Sequence, residues 1–209
     1  VASRPTSAAS RSATAAPAMA PSAPAARSGV EPRPNSPMVL RATVIAVGDH
    51  PEMNARHDDE QRVVTRHSRV HLGVAVQTDD GLVVAVLRDA QAMDVPQLAA
   101  ELERLSTRAR AGVASLEELR GSTITVSSLG ALGGIASTPI VNHPEVAIVG
   151  VNKIQVRPVW VDGAVVPRRV MHLSSSFDHR VVDGWHAARF VQRIRELLET
   201  PALLFTAAR

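Results

Sequence analysis

Cysteine and tyrosine are absent from this 209-residue chain, and lysine occurs once, at Lys153. Without cysteine there is no disulfide framework, no thiolate zinc site and no cysteine nucleophile. A reducing compartment suits such a chain, and cytoplasmic is the expected location. Aromatic residues make up 2% of the sequence, so the core has to be built from Val, Leu, Ile and Ala. No apolar run approaches the roughly 20 residues of a membrane-spanning helix, and residues 1–37 lack the apolar stretch of a signal peptide. The formal net charge is +3, and every base other than Lys153 is arginine. With no lysine-rich run and few stacking aromatics, neither nucleic acid nor a membrane is expected as a partner.

Residues 1–37 are dominated by Ala, Pro, Ser and Arg and show no hydrophobic periodicity. Such a segment buries too little surface to offset its chain entropy, so it reads as a disordered tail or linker. Residues 38–209 read as one domain. Apolar spacing predicts a short helix over Met38–Val47, stopped at Gly48 and Pro51. Strand-like runs follow at Arg62–Thr65, Val70–Val76 and Leu82–Leu87, the last after an Asp79-Asp80-Gly81 turn. Val95, Leu98, Leu102, Leu105 and Ala109 recur at helical spacing behind an Asp94 cap. Ser115 and Glu118 form a capping box that predicts a short helix ending at Gly121. Thr123–Leu129 alternates like a strand and runs into Gly130, Gly133 and Gly134; Val146–Val151 reads as a buried strand. Val156–Val161 and Val165–Ser174 predict a hairpin across Asp162-Gly163. Residues 185–199 predict a final amphipathic helix with Ala188, Val191, Ile194, Leu197 and Leu198 toward the core. Helices and antiparallel hairpins together indicate α+β or a mixed-sheet α/β domain.

Chemistry concentrates in Ser176-Phe177-Asp178-His179-Arg180-Val181-Val182-Asp183-Gly184. Histidine takes and returns a proton near neutral pH, and a nearby carboxylate can fix its tautomer or brace its loop. The glycines at 130, 133 and 134 precede no lysine, so tight-turn packing explains them better than a phosphate loop. The remaining histidines lack metal-ligand spacing, and no metal is expected. Arg104, Arg108 and Arg110 read as the solvated face of their helix.

Three ordered blocks carry a family resemblance. They are Gly121–Gly130 with Gly133-Gly134, Thr138–Val151 with its Asn142-His143-Pro144-Glu145, and Ser174–Gly184; Leu72–Val76 with Gly81–Val84 extends the likeness upstream. Together they resemble the catalytic domain of 2-oxo acid dehydrogenase dihydrolipoamide acyltransferases, across about residues 39–209. The resemblance implies a two-layer, chloramphenicol acetyltransferase-like mixed sheet with helices, lacking the N-terminal part of the family's domain. It implies acyl transfer between dihydrolipoamide and coenzyme A, with coenzyme A as substrate and lipoate on a separate domain or chain. It assigns His179 as general base and Ser127, rather than Ser128, as oxyanion donor. Asp183 is the signature aspartate, orienting His179 or bracing its loop. It further implies a homotrimer within a larger core, with His179 and Ser127 meeting across subunits. The partners would be a lipoyl domain and the oxo acid decarboxylase and dihydrolipoamide dehydrogenase components. A non-catalytic core protein retaining the signature, or another coenzyme A-dependent O-acetyltransferase, would share these residues.

Overall fold

A computed structural model describes residues 36–128 and 134–206. The expected tail therefore lies almost wholly outside the described residues, as do Gly130 and Gly133. The central element is helix α1, Ser36–Asp49, which starts two residues before the apolar spacing suggested. It is buried nearly all round, with Leu40, Ala42, Val44 and Val47 in the core. A helix apolar on every side can only sit inside a fold. Its buried Arg41 is satisfied by main-chain carbonyls of Met93, Gln91 and Leu204.

Two further helices flank α1. Helix α2, Val95–Arg110, opens with the Asp94 cap: Asp94 and Gln97 exchange side-chain to main-chain hydrogen bonds at 2.8 and 2.9 Å. Helix α3, Gly184–Glu199, turns Phe190, Ile194 and Leu197 inward, and a short α4, Leu203–Thr206, closes the described chain. The second layer is a five-stranded sheet of β3 (Leu72–Thr78), β4 (Gly81–Leu87), β5 (Ile124–Ser128), β6 (Ala147–Val151) and β9 (Leu173–Phe177). Its order is β4-β3-β5-β6-β9; β3, β5 and β6 are parallel, and both edges are antiparallel. This is the expected two-layer mixed α/β architecture.

Alternation along the strands gives the sheet two unlike faces. Leu72, Val76, Ile124, Val126, Ala147 and Val149 meet the helices in one hydrophobic core. Gly73, Thr125, Ser127, Gly150, Ser174 and Ser176 fall on the opposite, small and polar face. Two small hairpins stand apart, one of β1 (Ala55–Asp58) with β2 (Val63–Arg66), the other of β7 (Gln155–Val161) with β8 (Ala164–Val170).

Three expectations are corrected. The predicted Val165–Ser174 strand divides, because β8 ends at Val170 and Leu173–Phe177 leaves the hairpin to pair with β6. Leu173 and Phe177 pack against the core, and Phe177 meets Phe190 edge to face at 6.3 Å between centroids, burial that the hairpin could not supply. Residues 115–120 form a turn rather than a helix, although the Ser115–Glu118 capping bonds do form. Arg88 takes the carbonyls of Glu117 and Arg120, and the Val86 amide takes that of Glu118, so these carbonyls are committed outside any helical ladder. Arg104 and Arg108 are not simply solvated, since both pair with Glu118 at 2.6 and 3.1 Å.

Candidate active site

His179 follows β9 directly. The Asp178 amide donates to the Val146 carbonyl at 2.8 Å, which ends the strand, and Val181 and Val182 return amides to the Asp178 carbonyl. The chain then reverses into α3. His179 stands exposed at this turn and lines an open depression of about 360 Å³ with Glu52, Arg66, Arg180, Val181, Asp183 and His186.

Asp183 makes no hydrogen bond to His179 among the described residues. Its Oδ1 accepts from the His186 amide at 2.9 Å and lies 2.8 Å from His186 Nδ1, making it the N-cap of α3. The His186 amide bond, the imidazole and the helix terminus hold its carboxyl below the usual range. The geometry thus ties Asp183 to His186 and to the first turn of α3. Arg180 points the other way: its Nε and Nη2 hold Asp178 at 2.9 and 2.6 Å, and its Nη1 pairs with Asp59 in the β1–β2 turn. The Arg180 guanidinium draws the Asp178 carboxyl down to about 2.

Ser127 lies on the polar face of β5, and Ser128 faces the other way. Ser127 lines a tighter cleft of about 190 Å³ with Ser137, Thr138, Pro139, Gly150, Val151 and Asn152. Its hydroxyl has no hydrogen-bond partner among the described residues, leaving it available as a donor. One chain does not bring it to His179. Ser127 pairs with Gly150, and Gly150 with Ser174, five positions before His179. At about 3.3 Å per residue and about 4.8 Å between strands, the two side chains sit roughly 15–20 Å apart, towards opposite ends of the sheet. Each belongs to its own depression.

Two acidic residues escape the sequence reading. Glu145 is 3% exposed and accepts from Thr125 Oγ1 at 2.7 Å, Asn142 Nδ2 at 2.8 Å and Ser122 Oγ. Burial pushes its carboxyl above the ordinary value, against those donors and the nearby Arg56. The available signal was a carboxylate set directly before a buried strand. Asp59 gathers His57, His143 and Arg180, and nothing in an acidic turn marked it out. Among the described residues no group of acidic or histidine side chains is arranged to hold a metal ion, and no helix is long and apolar enough to cross a membrane.

The candidate site is thus a mixed sheet backed by helices, with a histidine turn at one end and a serine hydroxyl towards the other. Residues 31–206 match the family described as 2-oxoacid dehydrogenases acyltransferase (catalytic domain), and the chain belongs to that family. It is 59% identical over 169 residues to the lipoamide acyltransferase component of the branched-chain alpha-keto acid dehydrogenase complex of Pseudomonas aeruginosa, covering 81% of this chain and 40% of that protein. It is 44% identical over 162 residues to the dihydrolipoyllysine-residue acetyltransferase component of the pyruvate dehydrogenase complex of the same organism, covering 78% of this chain and 30% of that protein. The chain thus spans less than half the length of these relatives. A crystal structure of the dihydrolipoamide acetyltransferase of Azotobacter vinelandii matches with a TM-score of 0.77 at 40% identity, over 82% of this chain and 70% of that one. That enzyme was studied for the role of a serine, a histidine and an asparagine in its catalytic mechanism; the histidine lies 52 positions after the serine and the asparagine four further on.

Proposed function

We propose that this chain transfers an acyl group between dihydrolipoamide and coenzyme A in a cytoplasmic 2-oxo acid dehydrogenase complex, with the catalytic centre formed between subunits. The observation that carries this reading is the pair of half-sites on one sheet. A thioester exchange needs a base and an oxyanion donor within hydrogen-bond reach of one carbonyl. Ser127 and His179 of one chain lie too far apart for that, so a neighbouring chain supplies one of them. Ser127, His179 and Asp183 repeat the 52- and four-residue spacing of the Azotobacter serine, histidine and asparagine, with aspartate in the last place.

In the proposed reaction, His179 removes the proton from the coenzyme A thiol, and the thiolate attacks the thioester carbonyl of acyl-dihydrolipoamide. A free thiol has a pKa near 8.5, so a positioned base accelerates this step by about 10²–10⁴. The partner chain's serine equivalent to Ser127 donates to the tetrahedral oxyanion. When the intermediate collapses, the C–S bond to dihydrolipoamide breaks and the departing thiolate recovers the proton from His179. Lipoate would be delivered by a separate domain or chain, because Lys153, the one lysine, follows β6 inside the catalytic block. The higher identity to the branched-chain component than to the acetyltransferase supports a branched acyl group.

The test is acyl transfer from isobutyryl-CoA, acetyl-CoA or succinyl-CoA to free dihydrolipoamide, with His179→Ala as control. Turnover is expected to be fastest with isobutyryl-CoA and to fall at least about a hundredfold in His179→Ala. Undiminished turnover in the variant would remove His179 from the mechanism. Assembly without turnover would instead favour a non-catalytic core protein, and acetylation of an alcohol without lipoate an O-acetyltransferase.

A further inference from the structure

Three segments distant in sequence converge on one exposed carboxylate beside the proposed base. Asp59, in the turn between β1 and β2, has Oδ1 3.2 Å from His57 Nδ1 and Oδ2 3.0 Å from His143 Nε2. The same carboxylate pairs with Arg180 Nη1, while the rest of that guanidinium grips Asp178. Main-chain bonds tie the same segments together, from the His57 amide to the Pro144 carbonyl and from the Asp178 amide to the Val146 carbonyl. Arg180 is the residue next to His179, and the His179 side chain makes no hydrogen bond of its own among the described residues.

Stability does not account for this arrangement. Ion pairs open to solvent contribute little, because water screens them and ordering long side chains costs entropy. What the network supplies is geometry. A guanidinium is a rigid planar fork, so gripping Asp178 with one edge and Asp59 with another fixes its plane and the backbone that carries it. The β1–β2 hairpin also contributes Arg66 to the wall of the His179 depression, so the same tie sets that wall against the base.

We infer that Asp59 is a positioning residue that holds the His179 turn through Arg180. The inference rests on His179 being the general base. A base displaced by a fraction of an ångström loses rate steeply without losing substrate, so the effect belongs in kcat.

Asp59→Ala is the discriminating variant. The turn itself survives it, because Asp58 Oδ1 accepts from the Glu60 and Gln61 amides at 3.0 and 2.8 Å. Hydrogen exchange at the Val181 and Val182 amides is expected to speed up several-fold, with the thermal midpoint unchanged. Isobutyryl transfer is expected to show kcat lower by about ten- to a hundredfold, with KM for both substrates within about twofold. Asp59→Glu is expected to recover part of both losses. Wild-type exchange at the turn together with wild-type kcat overturns the inference, and so does a kcat loss matched by a fall in thermal midpoint. Exchange is read without turnover, so a failure of His179 as base would appear only in the His179→Ala control and leave the Asp59 result standing on its own.

Discussion

At the scale of single residues, Glu145 carries the clearest energetic signature. Its carboxylate is buried on the polar side of the sheet and receives hydroxyl and amide donors from Ser122, Thr125 and Asn142. Burial wins over these donors and raises its pKa above the ordinary 4.5. A carboxyl whose folded-state pKa exceeds the unfolded one favours folding most when protonated. That contribution is complete below pH 4.5 and is lost as pH rises through the folded value. Glu145→Gln keeps the shape and removes the charge. We predict that its thermal midpoint matches wild type near pH 4 and exceeds it at pH 8. A midpoint below wild type at pH 8 would mean that the ionised carboxylate is the form the fold needs. His179 and Ser127 were legible as candidates because a signature of ordered blocks named them. Glu145 was not, since its burial arises only when residues 134–146 fold across the small-residue face of β5.

Among the secondary-structure elements, the helices were the most legible. The spacing of Leu98, Leu102 and Leu105 on α2 is the spacing of its buried face, and on α3 Ile194 and Leu197 are buried as expected, whereas Phe190 takes the core position expected of Ala188, which is exposed. The strands were legible in outline only. β1 carries too few apolar residues to announce itself, and the break between β8 and β9 depends on which partner offers burial. Gly73 shows how tightly β3 and β5 are then packed. A Cβ there would lie 2.6 Å from Thr125 Oγ1, 2.8 Å from Val84 Cγ1 and 3.0 Å from Ser122 Cβ. Thr125 cannot swing away freely, because its hydroxyl is committed to Glu145. We predict that Gly73→Ala destabilises the chain by about 1–3 kcal/mol in denaturant titration, the usual cost of overpacking. An unchanged midpoint would show that β3 can move away from β5, and with it the framework that holds Ser127.

For the molecule as a whole, the unusual feature is that the proposed catalytic residues are divided along one sheet. The polar face of β5, β6 and β9 and the projecting β7–β8 hairpin, with Val156, Trp160 and Val165 exposed, offer surface for a neighbouring chain. Such a division has a consequence that a self-contained site would not share. In the proposed ring of three, each centre takes His179 from one chain and Ser127 from the next. His179→Ala assembled alone has no base at any centre, and Ser127→Ala alone has no oxyanion donor. When the two are unfolded together in equal amounts and reassembled, a centre is intact wherever a serine-deficient chain, which still carries His179, meets a histidine-deficient chain, which still carries Ser127. Random assembly makes about one centre in four intact, so the mixture should regain about a quarter of wild-type transfer, far above either variant alone. Activity that stays at the level of the separate variants, in a mixture shown to contain mixed oligomers, would place both residues in a centre belonging to one chain and would require His179 and Ser127 to approach each other by a rearrangement of the sheet.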